Sequence, residues 1–238
     1  MRFEQQLMEG TLVKRSTRFQ AEVKLNNGDQ IVAHCANPGS LKGCAEPGNK
    51  VLLSEVTNPR IKFKHQVEIV YDGRVPVGVH TARPISVVVE AIGQGRISQL
   101  AGYATLRSIN KKTSPTPHAD LIVEGNSLRP CFLHIQNVTM QQEGVAYYPD
   151  ATLPAGIAAM QELTNLVREG NRAMIIFMVQ RSDAQCFRPA DHIDAEFCAA
   201  FRDAVARGVE PLCFRSKVSK KGIEFDNALP IDLGDERK

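Results

Sequence analysis

Residues 120–140 read DLIVEGNSLRPCFLHIQNVTM, a pattern that predicts two β-strands joined by a polar turn. Asp120 opens the first strand, and His134 and Gln136 lie within the second. Because side chains alternate between the two faces of a strand, we expect His134 and Gln136 on one face, and a hairpin would bring Asp120 beside them. The stretch therefore predicts a cluster of one acid, one imidazole and one amide.

The composition is that of an ordinary soluble globular protein. The chain has 238 residues, of which 43% are hydrophobic and 23% charged. No apolar run approaches the roughly 18 residues that span a bilayer, and the first 25 residues contain Glu4 and Glu9 and lack the apolar core of a signal peptide. We therefore expect a cytoplasmic protein without a membrane partner.

The net charge of +3 is too small to indicate a nucleic-acid partner by itself. Its distribution is uneven: residues 1–80 contain 11 Lys and Arg against 8 Asp and Glu, whereas residues 81–238 contain 18 of each kind. The basic excess thus lies in the first third of the chain.

The first third also has its own pattern of structure. Residues 9–80 show five or six short strand patterns separated by turn sequences such as Asn27-Gly28 and Asp72-Gly73, which supply the positive φ angles of hairpin turns. Many short strands without a convincing helix predict a small barrel of the OB type at residues 1–82.

After Pro84 the pattern changes to alternating helices and strands. The segment 84–95 fits either a helix or a buried strand. The remaining expected elements are strands at 119–125, 131–140 and 172–180, helices at about 153–169 and 191–207 with Asp191 or Asp194 as N-cap, and extended segments at 211–218 and 228–233. Residues 83–238 are therefore predicted to form an α/β domain around a mixed sheet.

A series of short motifs extends over almost the whole chain. They are Arg18-Phe19 with Ala21, His34-Cys35-x-Asn37-x-Gly39 with Gly43 and Pro47-Gly48, Gly102-Tyr103, Val138-Thr139, Tyr148-Pro149-Asp150-Ala151, Gly156, Glu162-Leu163, His192-Ile193-Asp194, Arg207-Gly208-Val209 and Leu229-Pro230. In order and spacing this set resembles the sugar fermentation stimulation protein A family of prokaryotic proteins.

The resemblance implies an N-terminal OB-fold followed by a restriction-endonuclease-like domain of the PD-(D/E)xK type. It also implies DNA as partner and a link to the regulation of sugar catabolism. In that nuclease type an acid on one strand and an acid-x-lysine on the next hold the metal and supply the base.

The chain departs from the family at the positions that carry this chemistry. It has His134-Ile135-Gln136 where the family typically has Glu-x-Lys, and Pro117-His118-Ala119 where the family has Ser-Arg before the aspartate. It has Ala155-Gly156-Ile157-Ala158-Ala159 where the family has Arg-Gly-x-Lys-His. The pattern indicates a nuclease fold whose catalytic side chains have been replaced.

Metal-dependent hydrolysis of a phosphodiester needs hard oxygen ligands and a cation near the attacking water. Asp120, Glu90 and His134 are the candidate ligands, although imidazole suits Mn²⁺ or Zn²⁺ better than Mg²⁺. Gln136 supplies neither charge nor base. Three alternatives stay open here: a polar remnant of the site without metal or other cofactor, a site for a transition metal, and weak nuclease activity with Mg²⁺ or Mn²⁺.

Candidate contacts to DNA lie in the basic first third. Arg60, Lys62 and Lys64 alternate through the start of a strand expected at 61–71, and three cations about 7 Å apart on one face would suit backbone phosphates. Arg18 and Lys42 are further candidates, and Lys14 and Arg15 could extend the stripe beside Arg18. The loop with Lys111, Lys112 and His118 is expected to be solvated, with DNA contact as the alternative. Because aromatic residues are few there and the chain contains no Trp, phosphate contacts are favoured over base stacking.

The sequence therefore predicts a DNA-binding protein, largely independent of sequence, with a degenerate nuclease site formed by Asp120, His134 and Gln136. The first alternative is an active metal-dependent nuclease. The second is a protein-interaction module without affinity for DNA.

Overall fold

The computed structural model describes residues 1–56 and 62–234. In this part of the chain the strands are β1 (Met8–Thr17), β2 (Gln20–Leu25), β3 (Gln30–His34), β4 (Lys50–Glu55), β5 (His65–Asp72), β6 (Val75–Gly78), β7 (Thr105–Ser108), β8 (Leu121–Gly125), β9 (Leu128–Val138), β10 (Met140–Gln142), β11 (Val145–Tyr148), β12 (Arg172–Val179), β13 (Cys186–Pro189), β14 (Glu210–Ser219) and β15 (Gly222–Ala228). The helices are α1 (Arg83–Gly93), α2 (Pro154–Arg168) and α3 (Ala195–Ala206).

The first six strands form a barrel in the order β3-β2-β1-β4-β5-β6, which the β3–β5 pairing closes. Side chains along β2 alternate between the barrel core and the solvent. Ala21 and Val23 are buried in the core, whereas Lys24 is exposed. The predicted OB-like barrel is confirmed.

The second domain is built on a mixed sheet in the order β15-β14-β12-β9-β8-β7. Its central strand β12 is apolar on both faces, because Met174, Ile176 and Met178 belong to the core under α1 and the intervening residues to the core under α2 and α3. The segment 84–95, which fitted a helix or a strand, is the helix α1. The predicted α/β domain is confirmed.

The hairpin of β8 and β9 has the predicted two-faced character. Leu121 pairs with Leu133, and both side chains belong to the core under α1 together with Ile135. By alternation, Asp120 and His134 lie on the opposite face, toward α2. The apolar face fixes the register of the hairpin, and the register places the polar residues.

Helix α3 begins where the sequence predicted. Asp194 is its N-cap, and its carboxylate accepts a 3.0 Å hydrogen bond from the Phe197 N–H. The same carboxylate accepts a 2.7 Å bond from the Leu153 N–H, just before α2. One capping aspartate thus aligns the starts of both helices on this face of the sheet.

Two predicted strands were wrong in their bounds. The strand expected at 61–71 begins only at His65, so Lys62 and Lys64 precede it as exposed residues. Arg60 and Ile61 lie outside the described residues. The extended segment expected at 228–233 forms only an isolated bridge at Ile231, whereas the sequence interpretation missed β15 (Gly222–Ala228).

The two domains share a polar contact at their junction. Glu68 of β5 is fully buried and accepts hydrogen bonds from the Arg83 guanidinium at the start of α1, at 2.9 Å and 2.5 Å. The pKa of Glu68 is below its ordinary value, because Arg83 and Ser54 outweigh the opposing effect of burial.

No helix within residues 1–56 and 62–234 is long and apolar enough to cross a bilayer.

Candidate functional site

A cleft of about 400 Å³ lies between the barrel and the second domain. The barrel contributes a wall made of Arg18, Asn37, Pro38 and Gly39. The opposite wall comprises Lys111, Asp120, His134, Gln136, Tyr148 and Asp150. The polar cluster predicted on the hairpin therefore forms one side of an opening that neither domain makes alone.

The polar side chains of β9 are joined in one hydrogen-bonded chain. His134 Nδ1 lies 2.6 Å from the carbonyl oxygen of His118, which can only accept, so this nitrogen carries the proton. The other ring nitrogen of His134 then accepts from the Gln136 amide NH₂. Gln136 Oε1 accepts a 2.6 Å bond from the Tyr148 hydroxyl. We call this series the His134–Gln136–Tyr148 chain; each of its side-chain polar atoms has a partner.

Asp120 is held by three neighbours. Its Oδ1 lies 2.6 Å from the Lys111 ammonium, its Oδ2 accepts a 2.7 Å bond from the Ile135 N–H, and His134 Nδ1 is 3.5 Å away. Burial raises the pKa of the Asp120 carboxyl, but the interactions with His134, Lys111 and the Ile135 N–H outweigh burial and leave the pKa below its ordinary value. Asp120 is therefore an ionised, fully engaged carboxylate.

The segment before Asp120 is fixed from helix α2. Glu162 accepts hydrogen bonds from the N–H groups of His118 and Ala119, at 3.1 Å and 3.2 Å. These bonds orient the His118 carbonyl, which accepts the hydrogen bond from His134 Nδ1. Glu162 thus supports the site without reaching the cleft itself.

Asp150 connects the two walls. Its Oδ2 accepts a 2.8 Å hydrogen bond from the Leu41 N–H, and its carbonyl accepts a 2.6 Å bond from the Ser40 hydroxyl. Gly39 allows this approach, because a Cβ at that position would overlap the Asp150 carboxylate. Asp150 therefore joins the two domains through its carboxylate and its carbonyl.

The barrel wall is organised by Arg15. Its guanidinium donates to the carbonyl oxygens of Arg18, Asn37 and Gly39, at 2.7, 2.5 and 2.7 Å. Arg15, considered from sequence as a DNA contact beside Arg18, is thus used inside the fold. The Arg18 side chain is exposed and lines the cleft, on the wall opposite Lys111.

The structure does not bring the three predicted metal ligands together. Glu90 lies on α1 and pairs at 2.5 Å with the ammonium group of Met1, so it does not join Asp120 and His134. Both nitrogens of His134 and the oxygen of Gln136 are already engaged. Within residues 1–56 and 62–234 no group of three or more His, Cys, Asp or Glu residues is placed to hold a metal ion.

The predicted DNA contacts are placed only in part. Lys62 and Lys64 are exposed in the segment before β5, not on a strand face, and Arg60 lies outside the described residues. Lys42 is exposed on the loop after Gly39 and lines, with Arg18, a second depression beside the cleft. Lys62 and Lys64 therefore do not lie on the strand face that the sequence predicted.

Sequence reasoning missed Lys111 and Tyr148 as members of the site. Lys111 was interpreted as part of a solvated loop, and Tyr148 was noted only within a motif. A signal was present for the second: Tyr148, Asp150, Asn37, Gly39 and Glu162 all belong to the motifs that carry the family resemblance. Lys111 lies in a loop with no local pattern that would have pointed to Asp120.

Comparison with known proteins agrees with this architecture. Residues 13–79 match the sequence model described as "SfsA N-terminal OB domain", and residues 82–222 match the one described as "Sugar fermentation stimulation protein RE domain". A solved structure of Pyrococcus furiosus SfsA in complex with Ca²⁺ superposes with a TM-score of 0.87 over 98% of both chains. Its sequence identity is 20%, so it shows the shared fold.

Relatives at higher identity extend over the full length. A sugar fermentation stimulation protein homolog of Halorhodospira halophila is 43% identical over 99% of this chain and 100% of its own. A homolog of the same name from Nitrosococcus oceani is 41% identical over 98% of this chain and 100% of its own. The chain belongs to the sugar fermentation stimulation protein family.

Proposed function

We propose that this protein binds DNA through its phosphate backbone, largely without regard to sequence, and does not cleave it. The observation that carries the proposal is the His134–Gln136–Tyr148 chain, in which both side chains at the positions of the family's typical acid and lysine, 134 and 136, are engaged in hydrogen bonds. A DNA-binding protein without cleavage activity fits a regulatory role in sugar catabolism, the subject to which the names of its relatives refer.

The charges around the cleft support DNA as the partner. Arg18 is exposed on the barrel wall of the cleft and Lys42 is exposed in the adjoining depression, whereas the charge of Lys111 is offset by Asp120. Exposed cations along a groove attract a phosphate backbone and give affinity without reading bases. Binding of oligonucleotides by many OB barrels is consistent with this assignment by analogy of fold.

The arrangement of donors argues against hydrolysis. The Pyrococcus relative was solved with Ca²⁺, and Ca²⁺ prefers six to eight oxygen ligands with several carboxylates. Here the cleft offers two carboxylates, Asp120 paired with Lys111 and Asp150 bonded to the Leu41 N–H, beside an imidazole with no free nitrogen. The residues present do not fit such a metal, and the proposal assigns none to the site.

A binding titration tests this proposal. Fluorescently labelled DNA is titrated with the protein in EDTA and in Mg²⁺, at several salt concentrations. We expect equal affinity with and without metal, and a steep loss of affinity as salt rises, by about 0.9 log unit per neutralised phosphate for each tenfold increase. Absence of binding at low salt would overturn the proposal and favour a protein-interaction module. Binding that requires metal would overturn it in favour of the nuclease alternative.

A further inference from the structure

Three rings lie in a row at one end of the barrel. The centroid of the Phe19 ring is 6.3 Å from that of the His34 imidazole, and the His34 imidazole is 5.9 Å from the Phe63 ring. The planes are nearly parallel, with angles of 22° and 14°. Phe19 is 49% exposed, which is unusual for a phenylalanine. We call Phe19, His34 and Phe63 the ring row.

The ring row is held in place by the backbone of the barrel. The Phe19 carbonyl accepts a 3.0 Å hydrogen bond from the Cys35 N–H, next to His34. The Val56 N–H at the end of β4 donates a 2.8 Å bond to the carbonyl of Lys64, next to Phe63. The rings therefore come from three separate segments whose relative positions are fixed, which lowers the entropic cost of binding a flat partner.

Cations accompany the ring row. The Lys62 ammonium lies 5.5 Å from the centroid of the Phe63 ring, and Lys64 is exposed two residues further on. Arg18 precedes Phe19 and is also exposed. Flat aromatic faces beside positive charges suit a ligand with flat rings and regular negative charges.

The ring row adjoins the cleft. Arg18 lines the cleft while its neighbour Phe19 begins the ring row. Arg15 ties the Arg18 carbonyl to those of Asn37 and Gly39 in the cleft wall. The two surfaces therefore belong to one rigid part of the barrel, and a single extended ligand can contact both.

We infer that the ring row stacks the bases of a single-stranded nucleic acid, whose phosphates pass Lys62 and Arg18 toward the Asp120 cleft. In a duplex the base faces are covered by their neighbours, so only a single strand can use this surface. The inference rests on the proposed function and deepens it, because it names the form of nucleic acid. It also replaces the expectation from sequence that phosphate contacts alone dominate.

The first test compares three labelled ligands of equal length: single-stranded oligo-dT, single-stranded oligo-U, and a DNA duplex. The variant Phe19→Leu keeps an apolar side chain and removes the aromatic face. We expect it to weaken single-strand binding roughly tenfold, within the range found when one stacking aromatic is removed, and to leave duplex binding nearly unchanged. Leu128→Ala alters another exposed apolar side chain, at the start of β9, and is the control.

The second test uses the absence of Trp from the chain. Phe19→Trp introduces a single indole into the ring row, and Leu128→Trp introduces one at the control position. Stacking of a base on the indole quenches its fluorescence. We expect oligo-dT or oligo-U to quench the fluorescence of Phe19→Trp strongly and that of Leu128→Trp little. The ligand that binds more tightly shows whether the surface prefers DNA or RNA.

The outcomes separate this inference from the proposed function. Base stacking on the ring row is overturned if all DNA forms bind tightly, Phe19→Leu does not weaken binding and Phe19→Trp is not quenched. That outcome leaves the proposed phosphate binding intact. Failure of the wild-type protein to bind any nucleic acid overturns both. Weaker single-strand binding of Phe19→Leu, with retained duplex binding and an unchanged melting temperature, supports the inference.

Discussion

The Tyr148 hydroxyl donates a 2.6 Å hydrogen bond to Gln136 Oε1, and this bond fixes the direction of the whole polar chain. With its oxygen occupied, the Gln136 amide can only donate to His134, and His134 must then donate to the His118 carbonyl. A side chain from β11 thus sets the tautomer of an imidazole on β9. The polar side chains of the site bond to one another and to the backbone, whereas a metal centre requires donor atoms that are free to bind the ion.

Removal of the Tyr148 hydroxyl tests this arrangement. In Tyr148→Phe the oxygen of the half-buried Gln136 loses its donor, so we expect the free energy of unfolding to fall by about 1 kcal/mol. Urea unfolding followed by circular dichroism measures the change. Tyr147→Phe is the control, because the half-buried Tyr147 ring packs edge-on against His192 and keeps that contact. An equal loss in both variants would contradict the polar chain.

The Asp120 carboxylate should contribute to stability in a defined range of pH. Its pKa in the folded protein is below the ordinary value of 3.8, so its contribution is fully present above that value and is lost as pH falls through the folded pKa. We expect Asp120→Asn to destabilise the protein at pH 6 and the difference from wild type to shrink below about pH 3.8. Urea unfolding at pH 6, 4.5 and 3 provides the comparison.

Asp203 supplies the control for this experiment, because it is an exposed carboxylate on α3 paired with Arg207. Asp203→Asn should change stability little at any pH. A constant effect of Asp120→Asn across the whole range would show that the charge of Asp120 does not stabilise the fold.

Gly39 should be needed for the closed junction between the domains. Gly39→Ala places a Cβ against the Asp150 carboxylate and strains its hydrogen bond to the Leu41 N–H, so we expect a loss of about 1–3 kcal/mol in the free energy of unfolding. Gly93→Ala, at the end of α1 with open space around the added carbon, should be neutral or slightly stabilising. Equal behaviour of the two alanine variants in thermal melts would argue against the close approach of Gly39 to Asp150.

The exposed lysines before β5 should contribute to affinity by neutralising phosphates. We expect Lys62→Gln with Lys64→Gln to weaken DNA binding and to reduce the slope of log affinity against log salt by about 0.7–0.9 for each phosphate that is no longer neutralised. Arg188→Gln with Arg207→Gln removes the same charge from exposed positions in the second domain and is the control. An unchanged slope in the lysine variant, or an equal change in the control, would exclude a local role of these lysines.

Much of the fold could be predicted because its signals are local. The hairpin of β8 and β9 followed from the alternation around His134 and Gln136, and the start of α3 followed from Asp194. The strand at 61–71 was wrong because lysines and apolar residues alternate through Lys62 and Lys64 without any stop signal before His65. Alternation alone does not mark where pairing with a neighbouring strand begins.

The site was harder to predict because its contacts join distant parts of the chain. Asp150 meets Leu41 across 109 residues, and no local pattern specifies such a contact. Lys111 reaches Asp120 from a loop, and the ring row unites Phe19, His34 and Phe63 from three segments. The aromatic residues are few along the sequence, and their clustering into one surface depends on the closed barrel.

The most direct test of the central claim is one incubation with two measurements. Wild-type protein is mixed with labelled plasmid and single-stranded DNA in Mg²⁺, Mn²⁺ or EDTA, and each sample is analysed on native and denaturing gels. We expect retarded migration on the native gel and intact DNA on the denaturing gel under all three conditions. Cleavage that requires metal and disappears in Asp120→Asn would contradict DNA binding without cleavage.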